Sequence, residues 1–262
     1  MAARRPADVT YALGVLAAHG EAGGRNSDGW GIAYYEAGDV RLIKEAAPAG
    51  DSIWVRFIED HPLSSHLVVS HIRRASQGGL TLDNTHPFAR ELGGAMHVFA
   101  HNGNVPGVFK TPGLATKSFR PLGETDSEYA FCALLERLRR LWLAGAEVPA
   151  GDDRIAIVAR FAAALRALGP ANFIYADGDL LFAHGDRRQH ADGLRPPGLC
   201  LLCRHCNESG PESMEAGVKV AAAGQDVVLF ASVPLTDESW EPLACGELVV
   251  VRGGEVLARI AT

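Results

Sequence analysis

The stretch VFAHNGNV (98–105) carries an apolar run, Val98-Phe99-Ala100, straight into His101-Asn102-Gly103-Asn104. Asn and Gly stop strands well because they tolerate turn dihedrals. The same residues also set a side-chain amide, Asn102, beside an unhindered backbone N–H, Gly103, and a developing oxyanion needs that pairing. On this stretch alone the turn is the simpler account, so other segments must decide. SHIRRASQG (70–78) puts Arg73 and Arg74 where an apolar run emerges into polar chain. Two arginines at a strand end are commonly just solvated, yet one could hold a carboxylate through two parallel hydrogen bonds. In GETDSEYAF (123–131), Thr125 and Glu128 have the T-x-x-E spacing of a capping box at a helix start. Capping leaves Asp126 unexplained, and a carboxylate there could receive an ammonium.

Cys200, Cys203 and Cys206, with His205, have a spacing that suggests metal. If this run is a strand, alternation sends Cys203 to the face opposite the other two, and three thiolates do not converge. The four-cysteine ferredoxin spacing also fails, because Gly210 stands where the last cysteine should be. Buried apolar cysteine is the better account, and no metal is expected. His71, His86, His97 and His101 sit near the other segments without an HxxxH helix pairing. They read as packing or hydrogen-bonding residues.

These residues need a frame to position them. A chain of 262 residues suffices for one large core and no linker divides it, so residues 1–262 are expected to form a single domain. A composition of 47% hydrophobic and 21% charged residues is that of an ordinary globular protein. A formal net charge of −6 without a Lys/Arg cluster argues against a nucleic-acid partner. Arg4 and Arg5 precede an apolar YALGVLAA, as in a signal peptide, but Pro6 and Asp8 interrupt and the run is short. Val9, Ala12, Leu13 and Leu16 instead predict one face of an amphipathic helix. No run approaches the roughly 18 apolar residues of a membrane span, so no membrane partner is expected. Five cysteines, an odd count, suit a reducing compartment and predict a cytoplasmic protein.

DGWGIAYYE (28–36) and VRLIK (40–44) predict two strands around a Gly38-Asp39 hairpin turn. Ser52 opens a short helix with Ile53, Trp54, Phe57 and Ile58 expected on one face. HLVVSHIR (66–73) and MHVFAH (96–101) read as buried strands, and helices are expected at about 126–143 and 153–168. The last third reads as short strands: NFIYA and LLFAH around Asp177-Gly178-Asp179, then LCLLC, VKVAA, VVLFAS, and LVVVR and EVLARI around Gly253-Gly254. Tight turns require antiparallel pairing. Helices segregated from such strands make the fold class α+β.

Taken in order, DGWGIAYYE, SHIRRASQG, NTHPFARE, FAHNGNV and GETDSEYAF resemble the class II glutamine amidotransferases, most nearly the stand-alone YafJ-type branch. The likeness continues through ASVPLTDESW and covers nearly the whole chain. It implies an N-terminal-nucleophile (Ntn) hydrolase fold, a four-layer αββα sandwich of two facing antiparallel sheets. Carried over by position, Arg73 would bind the glutamine α-carboxylate and Asp126 its α-ammonium. Asn102 and Gly103 would form the oxyanion hole, and His86 and Asp28 would shape the substrate site. Where some members carry Trp after the arginine, this chain has Arg74. The implied reaction is glutamine side-chain amide hydrolysis through a cysteine thioester, with no metal or organic cofactor. The implied partners are a small-molecule substrate and an ammonia-accepting synthase on another chain. Two alternatives stay open: hydrolysis of other γ-glutamyl amides, such as glutathione-like conjugates, and a catalytically silent glutamine-binding subunit.

One departure matters. The family's nucleophile is an N-terminal cysteine whose own α-amino group is the general base. This chain begins Met-Ala-Ala-Arg, and its earliest cysteine, Cys132, falls inside a predicted helix. By the resemblance, Met1 aligns about half a dozen places into the family's first strand. The expectation is therefore a Cys-initiated strand preceding Met1, a first sheet lacking part of one strand, and no glutaminase activity without it. The alternative is a degenerate member.

Overall fold

Trp30–Glu36 shows how the molecule is layered. Ile32 and Tyr34 point to one side and pack with Val55 and Ile58, whereas Ala33 and Tyr35 point to the other and pack with Val69 and Val98. A strand with apolar surroundings on both faces lies inside a stack of layers. The computed structural model describes residues 1–8, 28–61, 63–75, 77–145, 147–206 and 224–262. In chain order come β1 (Ala2–Asp8), β2 (Trp30–Glu36), β3 (Asp39–Glu45), α1 (Ile53–Asp60) and β4 (Ser64–Ile72). Next are β5 (Phe88–Leu92), β6 (Ala95–Gly103), α2 (Asp126–Trp142) and α3 (Gly151–Arg166). Then follow β7 (Ala171–Ala176), β8 (Leu181–Gly185) and a small hairpin, β9 (Arg188–His190) with β10 (Gly193–Arg195). The chain closes with β11 (Cys200–Cys206), β12 (Gln225–Ala231), β13 (Glu241–Pro242), β14 (Glu247–Arg252) and β15 (Glu255–Ala261).

A seven-stranded sheet has the order β13-β11-β12-β1-β4-β2-β3, and a six-stranded sheet the order β15-β14-β8-β7-β6-β5. Among the described residues every strand pairing is antiparallel. Helix α1 covers the outer face of the first sheet, with Val55 and Ile58 against Trp30, Ile32 and Val68. Helices α2 and α3 cover the outer face of the second, with Phe131, Leu135 and Phe161 against Phe99, Phe173 and Phe182. The two inner faces meet through Ala33, Ala100, Ala176 and Ala183 among Val69, Val98, Val249 and Val251. Small residues there let the sheets approach closely. The result is α+β, a four-layer αββα sandwich. Among the described residues no helix is long and apolar enough to cross a membrane.

Several local expectations change. The helix expected over 9–16 and the strand VKVAA lie outside the described residues, while residues 2–8 before that helix form β1. In α1 the buried pair is Val55 and Ile58, and Ile53, Trp54 and Phe57 face outward. Ser52 fixes this phase by capping the N–H groups of Trp54 and Val55 at 3.1 and 3.3 Å. Nor does β6 stop at His101: Asn102 pairs with Asn172 and Gly103 with Ala171. The capping box is half formed, because Thr125 Oγ accepts the Glu128 N–H at 3.2 Å. The Glu128 carboxylate turns instead to the N–H groups of Leu122 and Gly123 and to Arg90.

β1 fills the centre of its sheet only in part. Ala2 lies opposite Val228 and Leu67, and Met1 exchanges backbone hydrogen bonds with Val68 at 2.9 and 3.1 Å. β4 runs on to Ile72 and β12 to Ala231. Between residues 69–72 and 229–231 no described strand is paired, which leaves a slot one strand wide.

Beneath the six-stranded sheet, Arg154 is 1% exposed on α3 and pairs with Asp177 at 2.9 Å and Asp179 at 2.6 Å. Asp177 also accepts the Asp179 and Leu180 N–H groups, so one carboxylate shapes the β7–β8 turn and anchors the helix. Replacing Arg154 by Leu strands Asp177 in an apolar setting and is expected to lower unfolding free energy by about 3–5 kcal/mol. Adding Asp177→Asn should recover much of the loss. Chemical denaturation of the single and double variants measures both, and a single variant as stable as the parent would show that the ion pair does not anchor the helix.

Candidate active site

Arg73 is the residue with which the chain leaves β4. Its N–H donates to the Gly29 carbonyl (2.7 Å), its carbonyl accepts the Asp28 N–H (3.2 Å), and the Asp28 carboxylate takes the Ala75 N–H (2.8 Å). The side chain is 3% exposed. It donates to the carbonyls of Gln77 (3.0 Å), Gly78 and Asp28 (each 3.4 Å). These acceptors orient the guanidinium without neutralising it. Burial pulls its pKa down while the charges of Asp28 and Asp83 push it up, and an arginine remains cationic at any relevant pH.

Asn102 and Gly103 end β6 in the other sheet. Asn102 is exposed to the cavity, and its carbonyl accepts from Asn172 Nδ2 at 2.9 Å. Asn172 is itself buried, and its Oδ1 accepts the Asp186 N–H. A Cβ at Gly103 would lie 1.9 Å from the Pro170 carbonyl oxygen and 2.5 Å from His101 Nε2. No larger residue fits, and the reason is the backbone entering β7.

Asp126 is the first residue of α2 and 3% exposed. Its Oδ2 accepts the Val105 N–H at 2.6 Å, and its Oδ1 accepts the Ser127 hydroxyl at 3.3 Å. Ser127 Oγ also bonds His101 Nδ1 at 2.9 Å. Among the described residues no cation pairs with this carboxylate, and two hydrogen bonds leave it room to accept more.

Arg73, His86, Asn102, Gly103 and Asp126 line one cavity of about 430 Å³. Asp28 does not line it and acts through the backbone of Arg73 and Ala75. The cavity runs into the slot beside β1, past Met1, Ser70 and Phe230. Three histidines also line it. The His71 and His86 rings lie tilted against each other at 4.3 Å, and His86 meets Phe88 edge-on at 4.5 Å. Both ring nitrogens of His86, Nδ1 of His71 and Nε2 of His101 are buried without protein partners. Burial first, then neighbouring charge, holds His71 at about 4 and His86 well below its usual range, and burial also lowers His101. The trio is neutral at pH 7.

No cysteine lines the cavity among the described residues. Cys132 is buried within α2, its thiol pushed up to about 11 by desolvation. Cys200 is buried and Cys203 exposed on β11. Among the described residues no three His, Cys, Asp or Glu side chains are grouped to hold a metal ion.

The family model described as class II glutamine amidotransferases matches residues 1–262. The chain belongs to this family. YafJ of Escherichia coli (strain K12), described as a putative glutamine amidotransferase, is 35% identical over 254 residues, covering 94% of this chain and 93% of YafJ. A Haemophilus influenzae relative is 31% identical over 236 residues, covering 90% and 76% of the two chains. The crystal structure of a Pseudomonas aeruginosa PA01 protein, described as a predicted glutamine amidotransferase, superposes with a TM-score of 0.69 at 32% identity. It covers 98% of this chain and 97% of its own. The glutamine phosphoribosylpyrophosphate amidotransferase of B. subtilis shares the fold alone, with a TM-score of 0.59 at 13% identity over 96% of this chain and 45% of its own.

Three parts of the candidate site escaped the sequence: Asn172 clamping the Asn102 strand, Ser127 linking Asp126 to His101, and Arg188 on the cavity wall. Only the strand register that sets Asn172 opposite Asn102 would have found the first.

His71, His97 and His184 are each held at about 4 by burial. Their folded pKa values lie below the unfolded value of about 6.5, so on acidification the unfolded chain binds protons first. Stability is therefore complete above about pH 6.5 and lost as pH falls towards 4, by roughly 1–3 kcal/mol per histidine. Denaturant unfolding across that window measures the slope; an unfolding free energy that stays level would mean that these imidazoles are not buried as the fold places them.

Proposed function

We propose that this amidotransferase hydrolyses the side-chain amide of glutamine to glutamate and ammonia through a cysteine thioester. One observation carries the reading: a buried guanidinium, Arg73, and a buried carboxylate, Asp126, line one cavity, and neither is neutralised by a described side chain. An α-amino acid supplies both missing charges, its carboxylate to Arg73 and its ammonium to Asp126. Its side chain would then extend to Asn102 and Gly103, where an amide donor and a backbone N–H suit a tetrahedral oxyanion. A thiolate adds to the amide carbon, and the α-amine that took the thiol proton passes it to the departing nitrogen. The C–N bond breaks and ammonia leaves. Water then cleaves the thioester to glutamate and thiol.

The slot beside β1 supports a nucleophile arriving on added strand. If the β1 register continues, about four residues before Met1 would face Val69, Ser70, His71 and Ile72, and the next would come level with Arg73. That is roughly 13–17 Å of extended chain. On this proposal, residues 1–262 are one amidotransferase domain whose first strand lacks its opening residues. The uncrosslinked Cys132, Cys200, Cys203 and Cys245 fit a cytoplasmic location. The absence of a cysteine from the described cavity wall favours a second reading, a glutamine-binding subunit without chemistry.

Two experiments bear on the reading. Arg73→Ala and Asp126→Asn should each weaken glutamine or glutamate binding by about 2–4 kcal/mol, because each leaves a ligand charge unpaired. Asn at position 126 keeps an acceptor for Val105. Calorimetry on the chain beginning at Met1 suffices, and parental affinity in both variants would refute the pocket assignment. In a form extended to begin Met-Cys, ammonia release should appear, and Asn102→Ala should lower kcat by roughly 10²–10³ with KM little changed. A folded extended form that binds glutamine without releasing ammonia would select the silent-subunit reading.

A further inference from the structure

Besides the exposed Arg74, the cavity is lined by a second guanidinium that the glutamyl grips leave unused, Arg188. It opens β9, is half-buried and lines the same cavity as Arg73 and Asn102. Its Nε is buried without a hydrogen-bond partner, and no carboxylate among the described residues pairs with it. Its neighbour Arg187, by contrast, reaches Asp186 at 3.6 Å. Burial pulls the Arg188 pKa down, against a smaller opposing effect of the Cys200 thiol.

Its position is fixed by the clamp that holds the oxyanion strand. Asn172 Nδ2 donates to the Asn102 carbonyl at 2.9 Å and to the Arg187 carbonyl at 2.8 Å. Arg188 therefore begins one residue from a group tied to Asn102. Arg73 enters from the end of β4 in the seven-stranded sheet, whereas Arg188 follows β8 of the six-stranded sheet. Arg73 and Arg188 thus reach the cavity from different parts of the fold, and Arg188, unlike the exposed Arg74 beside Arg73, is half-buried. Glutamine has a single carboxylate and can satisfy only one of them.

We infer that Arg188 binds a second carboxylate, carried on the amine side of the scissile amide, so that the substrate class is a γ-glutamyl amino acid or peptide. The inference rests on the glutamyl reading of the Arg73–Asp126 pair and extends it past the scissile bond. In a γ-glutamyl amino acid the second carboxylate lies two bonds beyond the amide nitrogen, within reach of a long arginine side chain beside the oxyanion strand. The bonds exchanged are those of glutamine hydrolysis: the amide C–N bond breaks, one water is consumed, and a free amino acid departs in place of ammonia.

Calorimetry with three probes tests it: glutamine, γ-glutamylglycine and γ-glutamylethylamide, which matches the second in length but lacks its terminal carboxylate. The parent protein should prefer γ-glutamylglycine over the ethylamide by roughly 10- to 100-fold, the range of a hydrogen bond to a charged group. Arg188→Gln should bring that ratio close to one while glutamine binds both proteins alike, which also shows that the variant is folded. Arg73→Ala should weaken all three ligands. If glutamine binds but the parent does not distinguish the other two, or Arg188→Gln leaves their ratio intact, the role given to Arg188 is wrong and the glutamyl grips stand. If none of the three binds, the glutamyl reading fails and takes this inference with it.

Discussion

The Asp126 carboxylate, accepting the Val105 N–H at 2.6 Å, ties the helical layer to the strand that ends in Asn102 and Gly103. Val105 lies just past the end of β6, and Asp126 opens α2, which packs on the outer face of the same sheet. One buried carboxylate thus fixes where the chain goes after Gly103. It is reinforced through Ser127 to His101 on β6, so that the helix start grips the strand on both sides of Asn102. A carboxylate in this position is stabilised by the helix N-terminus as well as by its hydrogen bonds.

That leaves two opposite charges unneutralised around one cavity, and the cost is borne by backbone. Three carbonyls surround Arg73, and an N–H with a hydroxyl serves Asp126. Dipoles hold an ion in place while leaving its net charge available, whereas a protein counter-ion would cancel it. Asp28 illustrates the distinction. Its carboxylate caps Ala75 rather than the guanidinium, so it shapes the Arg73 loop without pairing with its side chain.

Much of this is legible in the sequence. Alternation along 30–35 separates Ile32 and Tyr34 from Ala33 and Tyr35, and the two sets do enter different layers. Turn chemistry located the β2–β3 hairpin, where Ala37 and Gly38 both have positive φ. Helix α1 was harder, because Trp54 and Phe57 have core-like composition yet lie outside. Its capping residue, not its hydrophobicity, sets which face turns inward. At Asn102-Gly103 the breaker residues gave a strand end, but β7 offers partners at Asn172 and Ala171 and tertiary pairing overrides local preference. Asn172, Ser127 and Arg188 gain meaning only from register and helix docking, which join segments far apart in sequence.

The three imidazoles follow from the same electrostatic constraint. Where β4 and β6 deliver Arg73 and Asn102, the space between the sheets must be filled by side chains that tolerate a hydrated cavity on one side and packing on the other. A carboxylate there would neutralise Arg73, and a lysine would occupy Asp126. Aliphatic groups would leave cavity water without partners. Buried histidines avoid all three faults, because desolvation and their mutual repulsion keep them uncharged. Their unpartnered ring nitrogens still give the cavity wall polar atoms able to form hydrogen bonds. The cavity therefore keeps the field of two charges by surrounding them with polar groups rather than counter-ions.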